Sequence, residues 1–249
     1  LAARAGLPLP TAHRLIRALA SRGYVRQLPG RGYALGPKLI RLGDVATNLI
    51  GAWAAPHLAN LVAKSGETAN MAVLDGAMAV YVAQVPSPHS MRMFTEVGRQ
   101  VHLHCTGVGK ALMLDESQAT LSRLYQRDHH LLPGDMTEAD WLALMAKYRL
   151  GGYSYDLGED EPSIRCVAAP IRDATGRIIA AISVSSTLEY MSPERMRDLV
   201  PEVQRVARAM RGFARPVWVR MTRPGPANAH EQMPSSHRVD KLEQSRCSH

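Results

Sequence analysis

The chain has 249 residues, 46% of them hydrophobic, and a formal net charge of +8. That is enough apolar material for one large domain or two smaller ones. No apolar run reaches the roughly 18 residues a membrane span needs, and no basic start followed by an apolar stretch marks a signal peptide. Cys105, Cys166 and Cys247 are odd in number and far apart, which argues against a disulfide framework or a paired-Cys zinc site. A cytoplasmic protein with no membrane partner is the expectation.

The charge is unevenly placed. Residues 1–50 carry a net +7, residues 51–213 a net −2 and residues 214–249 a net +3. A basic head on a slightly acidic body points to a head that meets phosphate.

In chain order, residues 1–5 read as the end of a short helix stopped by Gly6, and Leu7 to Leu9 as a turn. From Thr11 to Arg22, apolar residues recur at Ala12, Leu15, Ile16 and Leu19, which is helical spacing. Gly23 is a helix stop. Two helices joined by about four residues form a helix-turn-helix. "YVRQL", a Pro-Gly-Arg-Gly turn and "YALG" follow as a β-hairpin, so residues 1–36 read as a winged helix-turn-helix. Leu39, Leu42, Val45, Leu49 and Trp53 then recur every three or four residues. Residues 37–55 are predicted to be a linker helix. Pro56 either opens the first helix of a new domain, spanning 56–213, or kinks a single helix.

After Gly66 the period changes to two. "ETANMAVLDGAMAVYVAQV" is a hairpin turned at Asp75-Gly76, and "MRMFTEVG" reads as a third strand. "VGKALMLDESQATLSRLY" is predicted as one helix, and "TEADWLALMAKYRLGGY" as another with Thr137 as N-cap. "CVAAPIRDATGRIIAAISVSS" is a second hairpin turned at Asp173 to Gly176. A closing helix has Ser192 as N-cap and Pro193 in its first turn. The class is α+β with an antiparallel sheet. In residues 214–249 the hydrophobic period vanishes, and a disordered tail is expected.

"HCTGVGKALM", residues 104–113, looks like a phosphate loop. That loop needs a glycine where His104 stands and Ser or Thr where Ala111 stands, so the match fails at both ends. Three stretches together resemble the IclR-type bacterial transcription regulators. "GLPLPTAHRLIRALASRGYV" is similar to the family's helix, turn and recognition helix. "HCTGVGKALM" is similar to its H-x-[ST]-[GA]-x-G-K-A-[LIM] box, and "GYSYDLGEDEPSIRCVAAPIRDATGRIIAAISVSS" to its second long signature.

The resemblance implies a winged helix-turn-helix, a linker helix and a GAF-like effector-binding domain, covering residues 1 to about 213. It implies that the Gly-Lys box borders a ligand cavity, where glycines let the backbone approach a small anionic ligand. The family normally has a further helix before position 1, so the first domain reads as truncated. His102 stands where the family usually has Pro, and Ser163 where it usually has Gly. The tail is unlike the usual short ending.

Candidate DNA contacts are Pro10, Thr11, Ala12, His13, Arg14 and Arg17 at the start of the recognition helix, with Arg26 and Arg31 on the wing. Arg14 is placed on a guanine and His13 or Arg17 on phosphate. Candidate effector contacts are Thr106, Gly107, Val108, Asp156, Cys166, Ser183 and Ser185. Of these, Asp156, Cys166, Ser183 and Ser185 align with family positions that contact small oxo-acids. Ser183 and Ser185, two apart on a strand, share a face.

"HLHC" puts His102 and His104 on one face beside Cys105, but no fourth metal ligand stands at useful spacing. No metal, cofactor or catalytic elbow is read. The expected partners are double-stranded operator DNA, a small organic acid and a second copy of the chain, as a homodimer or dimer of dimers. Two other readings stay open: an enzyme using Cys166 or Asp156, and a ligand sensor that binds no DNA.

Overall fold

The protein is described here by a computed structural model covering residues 2–30, 32–89, 96–132, 134 and 136–211, with the backbone alone for 46–50. The expected strand over residues 91–98 falls mostly outside these residues, and the tail from 214 falls wholly outside them.

A short 3₁₀ turn, Ala3–Ala5, is closed by Gly6 at φ +62°. Helix α1 runs Leu9–Ser21, two residues earlier than Thr11. Pro10 explains the early start: its ring presets helical φ, and its missing N–H costs nothing in a first turn. Strands β1 (Val25–Gln27) and β2 (Tyr33–Leu35) pair antiparallel. They form the expected wing hairpin.

Helix α2 is one continuous element, Lys38–Ser65, that runs straight through Pro56. Pro56 removes one donor, yet the turns beyond it bury Leu58, Leu61 and Val62. That packing selects a single helix through Pro56 over the new start that the sequence also allowed and that set the expected boundary at 55/56.

The sheet of the larger part has six strands in the order β5-β4-β3-β8-β7-β6, every neighbour antiparallel. The elements are β3 (Thr68–Asp75), β4 (Met78–Val85), β5 (Gln100–His102), β6 (Ser154–Asp156), β7 (Ile164–Arg172) and β8 (Ile178–Thr187). Both expected hairpins are present. Asp75 pairs with Met78, so Gly76, at φ +61°, sits first in a two-residue loop. Asp173 organises the second turn by accepting from the backbone N–H of Thr175 and Arg177.

The single helix expected over residues 108–125 is two. Helix α3 spans Gly107–Leu112 and α4 spans Gln118–Asp128. The apolar spacing is nearly continuous, but Ser117 caps a new start by accepting from Thr120 N–H. In the connection, Asp115 pairs with Arg172 of β7. A cap plus a long-range ion pair outweighs propensity here. Helix α5 (Glu138–Gly151) begins with the expected Thr137, in a full capping box with Asp140. Helix α6 (Pro193–Ala209) begins with the expected Ser192 cap.

Candidate functional site

The head presents a sorted helix. Pro10, His13, Arg14 and Arg17 are exposed on α1, at the i, i+3, i+4, i+7 spacing of one helical face. Thr11 is half-buried. Ala12 departs from the expected contact set: it is buried and packs inward, so it cannot reach a base edge. Arg26, on β1, is exposed, whereas Arg31 lies outside the described residues.

In the body, the sheet register decides which predicted residues meet. Asp156 pairs with Cys166, Cys166 with Ser185, and Ser183 with both Ala168 and Asn70. Paired residues of antiparallel strands share a face, as do residues two apart. Asp156, Cys166, Ser183, Ser185 and Asn70 therefore form one polar row on a single face of the sheet. All five are buried.

The row is thinly bonded. The Ser183 and Ser185 hydroxyls lie 3.5 Å apart, and Asn70 Nδ2 is 3.5 Å from Ser185 Oγ. Both distances are at the outer edge of hydrogen bonding. Gln84 on β4 extends the row by donating to Asn70 Oδ1 at 3.1 Å. Asn70 and Gln84 escaped the sequence reading, although Asn70 is a polar interruption in the apolar run of β3.

Helix α3 lies on this face, and its glycines are tightly packed. A Cβ on Gly107 would stand 2.7 Å from Cys166 Sγ, and one on Gly109 would stand 2.6 Å from the backbone of His102 and Leu103. At both glycines a side chain would meet the protein's own atoms. Thr106 is likewise occupied: its hydroxyl donates to the His102 carbonyl at 2.6 Å and accepts from Gly109 N–H at 3.1 Å. Ser154 Oγ donates to the Gly107 carbonyl at 2.8 Å. Val108 is fully buried. Thr106, Gly107 and Val108 thus hold α3 against the sheet.

Lys110, the lysine of the box, is fully buried and paired with Glu159. Asp156 ends β6 and Glu159 lies in the loop that follows, where Asp156 Oδ1 accepts from Gly158 N–H at 2.8 Å and Glu159 N–H at 3.0 Å. Burial first, then the hydrogen bond with Glu159, pushes the Asp156 carboxyl up to about 7. Burial likewise pushes the Cys166 thiol up to about 12, so at neutral pH it is protonated and a poor nucleophile. That argues against the enzyme reading built on Cys166.

The two large cavities described lie away from the row. One, of about 270 Å³, is lined by Gly152, Ala169, Arg172, Gln204 and Arg208. The other, of about 340 Å³, is walled by Tyr148, Tyr153, Tyr155, Leu157 and Met196.

The histidine pair is resolved differently from the "HLHC" reading. Cys105 turns away, its Sγ 3.6 Å from Asp160 Oδ1. His104 is fully buried, with Nδ1 3.4 Å from Asp128 Oδ2. Burial lowers its pKa to about 4 against the opposing pull of Asp128. The His102 ring lies 5.5 Å from that of His104. Asp128 comes from α4, which sequence spacing alone did not associate with the pair.

Comparison with known proteins agrees with this architecture. The family described as "Bacterial transcriptional regulator IclR C-terminal" matches residues 45–211, and "IclR helix-turn-helix domain" matches residues 1–29. The chain is 34% identical to the transcriptional repressor IclR of Escherichia coli over 84% of this chain and 79% of that protein. It is 32% identical to the HTH-type transcriptional regulator BhcR of Paracoccus denitrificans, over 84% and 77%. Among solved structures it resembles a transcriptional regulator from Rhodococcus sp. RHA1, with TM-score 0.64 and 28% identity over 83% of this chain and 84% of that one.

Proposed function

Because the chain belongs to the IclR family of bacterial transcriptional regulators, with a helix-turn-helix and an effector-binding C-terminal domain, we propose which of its residues read DNA and what it senses. The exposed Pro10–His13–Arg14–Arg17 face of α1, opposite buried Ala12, is the observation that carries the DNA reading. Arg14 reaches a base edge, His13 and Arg17 reach phosphate, and Arg26 supports from the wing. Arg14→Ala is expected to weaken binding to the specific operator by about 1–3 kcal/mol more than binding to random DNA. Arg26→Ala should weaken both alike and flatten the salt slope by about one. Fluorescence anisotropy at several salt concentrations separates them, and equal losses for Arg14→Ala would make it a phosphate contact.

The effector is a small oxo- or hydroxy-acid recognised by the row Ser183, Ser185, Asn70 and Asp156. The thin hydrogen bonding of the serines leaves donors for an incoming ligand. A carboxyl whose pKa is raised by burial, as at Asp156, repels a ligand carboxylate less than an exposed aspartate would. Calorimetry of a panel of such acids tests this. The Ser183→Ala/Ser185→Ala protein should lose about 1–3 kcal/mol of binding for each hydroxyl removed. Unchanged binding would place the effector elsewhere. The exposed Leu42 and Val45 of α2 are where two copies would join, since one recognition helix reads only a half-site.

A further inference from the structure

His102, His104 and Asp128 come together from three different parts of the fold. His102 ends β5, His104 lies in the turn before α3, and Asp128 ends α4. One imidazole nitrogen from each histidine and one carboxylate oxygen all lie within 4.8 Å of one another. His104 is fully buried, and neither of its ring nitrogens has a hydrogen-bond partner among the described residues. The 3.4 Å approach of Nδ1 to Asp128 Oδ2 is close but lacks hydrogen-bond alignment. A sealed imidazole left unsatisfied is costly, and here it faces a second imidazole and a carboxylate.

We propose that His102, His104 and Asp128 form a binding site for a divalent first-row transition metal of the zinc class. Two imidazoles and one carboxylate form a borderline donor set, which suits zinc, cobalt or nickel over magnesium or calcium. Metal–ligand bonds of about 2.0–2.2 Å place two donors on one ion up to about 4 Å apart. Drawing the three atoms together thus takes small side-chain rotations. Arg127 holds both oxygens of Asp128, Nε donating to Oδ1 at 2.8 Å and Nη2 to Oδ2, and the remaining lone pair of Oδ2, the oxygen nearest His104 Nδ1, is the one that would face the ion. The arginine then acts as the outer partner that orients a ligating carboxylate. Three protein ligands would leave the fourth position of a tetrahedral ion to water, and His102 is only half-buried.

The site has a defined mechanical consequence. The His102 carbonyl accepts the Thr106 hydroxyl that caps α3. A metal on the His102 ring would tie α4 to the turn that starts α3, next to the polar row.

The test uses the full chain, stripped with a chelator and titrated with Co²⁺, whose visible d–d bands report coordination at a protein site. One Co²⁺ per chain is expected, displaced by Zn²⁺, with a higher melting temperature in the metal-loaded form. His102→Gln and Asp128→Asn should each weaken cobalt binding more than tenfold, since even outer partners of metal ligands are worth about 10–100-fold. His102 is half-buried, so that variant is expected to fold, and circular dichroism verifies it. The sequence after residue 213 carries His230, His237, Cys247 and His249, a rival source of ligands. No visible bands in the parent, or the same bands in both variants, would overturn the proposal.

Discussion

In the head, Ala12 is the one buried hydrophobic residue among the described side chains of residues 2–45, while Leu15, Leu19 and Leu28 remain 47%, 44% and 38% exposed. In the body, Trp141, Leu58, Leu61, Met71, Ile171 and Ile182 are almost completely sealed. Local signals are strong in both regions: a proline-started helix and hairpin in the head, capped helices and alternating strands in the body. The difference is core depth. The body's sheet packs α3 on one face, so both local and long-range contacts reward the same conformation. The head's leucines face inward in pattern but find little to cover them. Among the described residues, burial is therefore distributed unequally along the chain.

Core substitutions should expose this inequality most strongly. Trp141 is 1% exposed and donates its indole N–H to the His104 carbonyl at 3.3 Å. Trp141→Ala is expected to cost about 3–5 kcal/mol in chemical denaturation. Leu19→Ala, on the half-exposed face of α1, should cost under about 1 kcal/mol. A comparable loss at Leu19 would mean that the head is covered in solution, and the contrast would collapse.

The two regions were also unequally legible in the sequence. Both hairpins, the Thr137 cap and the Ser192 cap rest on near-neighbour chemistry, and all could be read directly. Turning Ala12 inward was within reach as well, because the apolar spacing that groups it with Leu15, Ile16 and Leu19 already points it away from DNA. The break between α3 and α4 was not legible, because Arg172, which anchors Asp115, lies 57 positions away. The same holds for Asp128 beside His104, and for Lys110 under Glu159. The glycines of the box show a subtler limit. Their spacing announces a close approach, but only the fold shows that Cys166 and the 102–103 backbone are what approach.

Acidity should act on the body through Asp156. Its carboxyl is raised by burial to about 7 in the folded chain, against an ordinary value near 3.8. Between about pH 4 and 7 the folded state then holds a proton that the unfolded chain has released. Stability at this position is therefore highest near pH 4 and falls as pH rises toward 7. Asp156→Asn keeps an oxygen for the Gly158 and Glu159 N–H groups but cannot ionise. Its melting temperature relative to the parent should climb across that window and level off above it. A difference that stays constant with pH would mean the carboxyl is ionised throughout, and would restore its full repulsion of an acid ligand.

The smallest effects give the finest contrast, because one substitution should have opposite signs in two places. Gly109 sits in α3, where a Cβ would meet the His102 carbonyl oxygen and the Leu103 Cα at 2.6 Å. Those are backbone atoms, tied down by the Thr106 cap, and they cannot swing aside as a flexible side chain would. Gly109→Ala should therefore cost about 1–3 kcal/mol, the usual range for overpacking. Gly43 lies inside α2, with nothing within 4 Å of the position its Cβ would take. There the methyl meets only solvent, and the substitution simply removes backbone freedom from the unfolded chain. Gly43→Ala should gain about 0.5–1 kcal/mol. Thermal melts of the two single variants measure both signs. A destabilising Gly43→Ala would show that this face of α2 is packed against something in solution, as a second copy of the chain would provide, and repeating the melts over a range of protein concentrations would then reveal it.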